Sequence, residues 1–237
     1  MKIAAISIVK DEADIIEAFV RHTIAFVDRL YIVDDTSSDN TPLILRKLSE
    51  ETSSVVVIDD NWNGAFHQSA RTTKLMKIAN ENDAWDVIFA LDADEMIAAP
   101  SRSVVEAEIA TIPPGMAGGF DELPYCIHPS DNPDTIDPLV RIRHAATNSP
   151  WGIFKSFATA ELLKRDELSF SEGNHRVRYK DINIESWRLQ SVSLAHFAVR
   201  SFDQLIMKCK MSETYAWQSP AFNIDILVAH TVVALTK

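Results

Sequence analysis

The chain has 237 residues, 46% of them hydrophobic and 24% charged, with a net charge of −11. That length can bury a substantial core in one large α/β domain or two small ones, and the acidity excludes general binding to nucleic-acid backbones or anionic membranes. Cys126 and Cys209 lie far apart without metal-ligand spacing, so they read as free thiols in a reducing compartment.

Ile3 to Val9 is an apolar, β-branched run that predicts a first strand. It is too short for a signal core and leads directly into Lys10-Asp11-Glu12. Asp11 to Phe26 carries apolar residues at helical spacing behind an acidic start, as an amphipathic helix does. Arg29 to Val33 is a second strand, closed by Asp34 and Asp35. The turn-rich Thr36-Ser37-Ser38-Asp39-Asn40 then caps a helix over about Thr41–Ser49, with Asp39 as N-cap and Pro42 in the first turn. Val55 to Ile58 is a third strand and His67 to Asn80 a third helix, before a fourth strand at Val87–Leu91. Such β-α-β-α-β-α-β order predicts a parallel sheet in an α/β fold.

Beyond Pro100 the pattern changes. Ser101–Ile112 reads as a surface helix, Phe120–His128 as a strand, Asp131–Pro138 as a loop and Leu139–Arg143 as a short strand. Trp151–Tyr179 mixes aromatic and basic residues, Ser191–Val199 is a last strand, and Ser201 to about Tyr215 a helix. These are antiparallel and mixed elements added to one sheet, not an independent domain. Ile224–Leu235 contains Asp225 and His230 and falls short of the roughly 20 residues of a membrane span. The expectation is a soluble, cytoplasmic protein.

The fourth strand is where chemistry is expected. It runs into Asp92, Asp94 and Glu95, and in open α/β sheets ligands bind beyond the carboxyl ends of the strands. Asp92 and Asp94 are two apart, so an extended chain points both to one side, where they repel unless a cation lies between them. Hard Mg²⁺ or Mn²⁺ suits such oxygen ligands, with substrate phosphates completing the shell. The opposing reading is a solvated acidic strand end. His196, after an apolar strand, is a candidate third ligand or else a structural histidine, and His175 is its rival or an acceptor contact. Arg200, Ser201 and Lys208 could neutralise a leaving diphosphate, with Lys155, Arg176 and Arg178 as weaker candidates. No glycine-rich phosphate loop follows the first strand, which argues against a dinucleotide-binding domain and a P-loop nucleotidase.

Three stretches together resemble a known family. VKDEADIIEAFVRH followed by YIVDDTSSDNTPLIL is similar to the opening of family 2-type glycosyltransferases, and LDADEMI to their metal-binding Asp-x-Asp motif in an Asp-x-Asp-Glu form. Downstream, GIFKSF, EGNHRV and AHFAVRSFDQLIMK resemble motifs of a bacterial subgroup. The resemblance implies a GT-A-like three-layer αβα sandwich, its central sheet mostly parallel, with a smaller mixed sheet added in the C-terminal half. It implies a UDP- or GDP-sugar donor, a divalent metal (Mn²⁺ or Mg²⁺) and a glycan, lipid-linked or protein acceptor. Residues 1–100 would form a Rossmann-like nucleotide-sugar half and 101–215 the acceptor half of the same domain, leaving 216–237 without a role.

Residue by residue, the resemblance implies that Asp35, with or without Asp34, contacts the base or ribose, and that Lys10, Asp11 and Glu12 line the same pocket. Arg71 would stand near the nucleotide, Asp92 would touch the ribose or a metal-bound water, and Asp94 would ligate the metal. Inversion at the anomeric carbon needs a carboxylate base; Asp121 and Glu122 are the candidates, and the sequence does not choose between them. Trp62, Trp151, Trp187 and Trp217 could stack on a sugar or fill core. A nucleotidyltransferase of similar fold and a non-catalytic nucleotide-sugar-binding relative are the alternatives. Acceptor identity, oligomeric state and peripheral association with a membrane-held acceptor are left open.

Overall fold

A computed structural model describes residues 1–59, 67–145, 154–201 and 204–206. They fall into two compact units: Met1–Glu122 with Pro150–Ala195, and Leu123–Ser149 with His196–Lys237. Trp62, Trp151, Trp217, Cys209 and Lys208, the expected helix beyond residue 206 and the segment 216–237 lie outside the described residues.

The first unit is α/β. Its elements begin β1 (Ile3–Val9), α1 (Ile16–Thr23), β2 (Arg29–Asp34), α2 (Thr41–Glu51), β3 (Val55–Val57), α3 (Gln68–Asn82) and β4 (Val87–Ala90). β3, β2, β1 and β4 lie side by side and all pair in parallel, as the alternation of strands and helices requires. Val9 is level with Asp34, and Ile6 with Ala90, so the carboxyl ends of three strands reach one edge. Ala4, Ile6, Tyr31, Val33, Ile88 and Ala90 pack with Leu75, Met76 and Ala79 of α3. The alternate residues Ile3, Ala5, Leu30, Ile32 and Phe89 are equally buried, so both sheet faces are covered, as a parallel sheet demands.

Past β4 come β5 (Glu95–Ala98), α4 (Arg102–Ile109), β6 (Ala117–Cys126), β8 (Phe154–Thr159), α6 (Ala160–Leu163), β9 (Leu168–Phe170), β10 (Val177–Tyr179), β11 (Ile182–Asn183) and β12 (Ser186–His196). β8 joins β4 antiparallel and β6 joins β8 antiparallel, and the strand order continues through β12 to β5. β9, β10 and β11 make a separate small antiparallel sheet. The join between β4, β8 and β6 is aromatic: Phe89, Phe120 and Phe157 meet pairwise with ring centroids 4.8–5.0 Å apart.

In the second unit, Tyr125 and Cys126 of β6 pair with β7 (His144–Ala145), and Tyr125 stacks on Phe197 at 4.8 Å. Cys126 is a free thiol whose pKa burial pushes up. Several sequence expectations are corrected here and above. Leu139–Arg143 is not a strand: Pro138–Arg141 forms the short helix α5. Asp137 caps it by accepting from Leu139 N at 2.8 Å with Pro138 in first position, a start signal that outweighs apolar spacing. β6 and β12 begin earlier than expected, and β8 emerges from a stretch whose sequence showed no regular period.

Candidate functional site at the strand ends

Two loops at the carboxyl edge are stitched to each other. Asp11, at φ 53°, donates its amide to Ser37 Oγ (2.8 Å) and accepts from Ser38 N (2.6 Å). Glu12 N donates to Thr41 Oγ1 at 2.9 Å. Asp39 accepts from Ala13 N (2.9 Å) and from Thr41 N (2.8 Å). Asn40, not Asp39, is the N-cap residue of α2; Asp39 instead ties the loop before α1 to the first residue of α2. Partial burial would raise its carboxyl pKa, and these hydrogen bonds outweigh burial and hold it low.

Asp35 lies just beyond β2. The Arg71 guanidinium, on α3 and only 5% exposed, meets Asp35 Oδ1 at 2.6 Å, and Lys10 Nζ lies 3.7 Å from Oδ2. The structure thus joins Lys10, Asp35 and Arg71 from three separate stretches. Asp34 instead closes the turn, accepting from Ser37 N at 3.1 Å.

Beyond β4 the chain does not stay extended. Asp92 to Glu95 is a turn, in which Glu95 N donates to Asp92 O and Asp92 N donates to Glu95 Oε2, both at 3.0 Å. This corrects the expectation of an extended backbone from Asp92 to Asp94. The acids that share a cation are Asp92 and Glu95, and the cation is Lys155 of β8. Its Nζ is 2.7 Å from Asp92 Oδ2 and 2.7 Å from Glu95 Oε1. Burial would drive this ammonium toward neutrality, but the charges of Asp92, Glu95 and Glu122 outweigh burial and hold its pKa well above the ordinary lysine value.

Glu95 is fully buried and Glu122 nearly so, with carboxylate oxygens of the two within 4.8 Å of each other. Asp94 is also buried. Asp92 Oδ1 faces Gln68 Nε2 at 3.4 Å and Asn174 Nδ2 at 3.5 Å, both long contacts. Asn174, 2% exposed and at φ 57°, has an Oδ1 with no protein hydrogen bond among the described residues. It follows Gly173 (φ 66°), where a Cβ would lie 2.5 Å from His175 Nε2, so only glycine lets the His175 ring fold over this turn. His175 Nδ1 contacts the Phe154 carbonyl at 3.0 Å.

A divalent ion fits this donor set. Three buried or half-buried carboxylates, Asp92, Glu95 and Glu122, act on one ammonium, and an orphaned buried amide oxygen stands beside Asp92; hard cations take oxygen ligands of both kinds.

Asp121, the residue before Glu122 in β6, is exposed and accepts from Arg188 at 2.9 Å. Trp187 is exposed and donates to Thr111 Oγ1. His196 and Arg200 belong to the second unit. Arg200 is buried there, bonded through its guanidinium to the Phe197 carbonyl at 3.1 Å, while its own carbonyl accepts from Arg141. Glu95 was named at the strand end without a role of its own, and Asn174 was not among the sequence candidates. The available signal for Glu95 was its place in Asp-x-Asp-Glu; Asn174 had none, because a single asparagine in a turn is commonplace.

Residues 5–104 match the model of Glycosyl transferase family 2. No protein of curated function matches the chain in sequence. Among solved structures, a mannosyltransferase from Pyrobaculum calidifontis in complex with GDP-Man and Mn²⁺ is 17% identical, over 54% of this chain and 35% of its own, with a TM-score of 0.37. The chain therefore spans about a third of that protein's length. Glucosyl-3-phosphoglycerate synthase from Mycobacterium tuberculosis, in complex with Mn²⁺, UDP and glucosyl-3-phosphoglycerate, is 14% identical over 91% of this chain and 79% of its own, with a TM-score of 0.44. No helix of the described residues is long and apolar enough to cross a membrane. The family 2 match thus covers residues 5–104, which carry the strand-end loops described above.

Proposed function

We propose that the protein is a metal-dependent glycosyltransferase that moves a hexosyl group from a UDP- or GDP-sugar to an acceptor hydroxyl with inversion. The observation that carries this reading is the convergence, at one sheet edge within the matched family segment, of the Lys10–Asp35–Arg71 group and the Asp92–Asp94–Glu95 turn. Asp35, fixed by Arg71, offers its carboxylate to the ribose or base, with Lys10, Glu12 and Asp34 lining that pocket. Asp92 and Asp94 would hold Mn²⁺ or Mg²⁺, and His196 is a further ligand on sequence grounds alone. The ion would supply charge stabilisation to the departing diphosphate.

The acceptor hydroxyl attacks the anomeric carbon from the face opposite the nucleotide, the bond to the donor phosphate oxygen breaks, and Glu122 takes the hydroxyl proton. Glu122 is buried, within reach of the Lys155 charge. His175 would contact the acceptor, and on sequence grounds alone Lys208 and Arg200 are cations for the diphosphate. The acceptor is a glycan, a lipid-linked glycan or a protein, and the setting is cytoplasmic.

The test is a melting-temperature titration with UDP and GDP, each with and without Mn²⁺, on the native protein and on Asp94→Ala. A ligand at about 100 times its dissociation constant stabilises a fold by roughly 2.7 kcal/mol. Stabilisation that needs nucleotide and metal together and disappears in Asp94→Ala supports the assignment and names the base. A folded native protein that responds to neither nucleotide overturns it.

A further inference from the structure

The turn at the end of β4 is a closed clamp. Its two reciprocal hydrogen bonds, Asp92 N to Glu95 Oε2 and Glu95 N to Asp92 O, fix both residues. Asp92 Oδ2 and Glu95 Oε1 both address one point, and Lys155 Nζ occupies it at 2.7 Å from each. Glu95 is 0% exposed and Lys155 5% exposed, so neither charge can turn out to water. A divalent ion that filled this point and then left would remove the positive charge between Asp92 and the buried Glu95 between loadings, a destabilising state. A lysine anchored in β8 never leaves.

We propose that Lys155 is a positioning residue, a built-in counter-cation that occupies the place between Asp92 and Glu95 where a divalent ion would otherwise bind. It thereby keeps Asp92 aimed in the metal-free protein and restricts the metal to the remaining carboxylate oxygens. The inference rests on the cation-binding character proposed for this site but not on any nucleotide, so its test uses Mn²⁺ alone.

Lys155→Met keeps the length of the stem and removes the charge. In EDTA this variant melts well below the native protein, and Mn²⁺ restores it where Na⁺ at equal ionic strength does not. Mn²⁺ counted by electron paramagnetic resonance shows one more ion per chain than the native protein. Its Mn²⁺ affinity is at least about tenfold higher, as expected when an opposing charge is taken from a buried site. A merely structural lysine would lose stability without recovery in Mn²⁺, and that result overturns the proposal, as does a variant that melts like the native protein in EDTA. Should Lys155→Met not fold in EDTA, the Lys155→Met/Glu95→Gln double variant decides. Folding without metal and binding no additional ion supports the proposal, and failure to fold in EDTA and in Mn²⁺ alike overturns it. Loss of the nucleotide response alone leaves these outcomes unchanged, so the two readings fail separately.

Discussion

Asp121 and Glu122 are consecutive in β6 and face opposite ways: Asp121 lies at the surface against Arg188, 2.9 Å away, while Glu122 is 7% exposed beside Glu95 and Lys155. The two-residue period of a strand separates them. With Glu122 as base, Glu122→Gln lowers the transfer rate by about 10²–10⁴-fold, the range for losing general-base catalysis, at little cost in donor affinity. Asp121→Asn changes the rate by less than about tenfold. Single-turnover rates of the two variants, measured with a donor identified by the nucleotide titration, check this. Equal losses in both would sink the assignment to Glu122.

Arg71 is buried and its guanidinium is committed to Asp35 at 2.6 Å. Removing one partner of a buried pair leaves Asp35 with only Lys10, 3.7 Å away, so Arg71→Ala destabilises the fold by roughly 3 kcal/mol. Arg71→Lys recovers part of that stability but less of the nucleotide response, because a point charge cannot reproduce the planar fork. Urea melts with and without UDP or GDP separate the two effects.

Gly118 faces Phe157 across the β6–β8 pair, and a Cβ there would lie 1.9 Å from a ring atom. That ring cannot retreat, since Phe89 and Phe120 hold it at 4.9 and 4.8 Å between centroids. Gly118→Ala therefore destabilises the fold by about 1–3 kcal/mol through overpacking, read as a lowered urea midpoint with an unchanged slope.

Asp28 binds Arg102 through both carboxylate oxygens, at 2.9 and 2.8 Å, and also accepts from Ile3 N at 2.8 Å. The Arg102 hydrogen bonds hold its carboxyl below the ordinary range, against the opposing effect of burial. A lowered folded-state pKa contributes stability that is present above the unfolded value of about 3.9 and is lost as the pH falls through the folded one. Asp28→Asn thus flattens the fall in melting temperature below about pH 4 and leaves the slope near neutrality unchanged. A steep acid limb retained in the variant would show that other carboxylates dominate it.

The parallel half of the fold was legible in sequence because its signals are local. Ile3–Val9, Arg29–Val33 and Val87–Leu91 announce buried strands by composition, and the strand-end acids follow from where such strands stop. Asp35 and Arg71 were both named from sequence, but their pairing joins β2 to α3 and is a product of the fold.

The sequence by itself determined that this is an α/β chain with acids gathered at the carboxyl edge of a parallel sheet, because period and strand-end chemistry are written in neighbouring residues. Tertiary structure alone decided which acids share a cation. Asp92 and Asp94 are paired by spacing on paper, yet a turn replaces the extended chain, and Lys155, 63 positions beyond Asp92, comes to lie between Asp92 and Glu95. That juxtaposition depends on β8 joining β4 antiparallel, a long-range pairing fixed by packing around Phe89, Phe120 and Phe157 and by no local pattern.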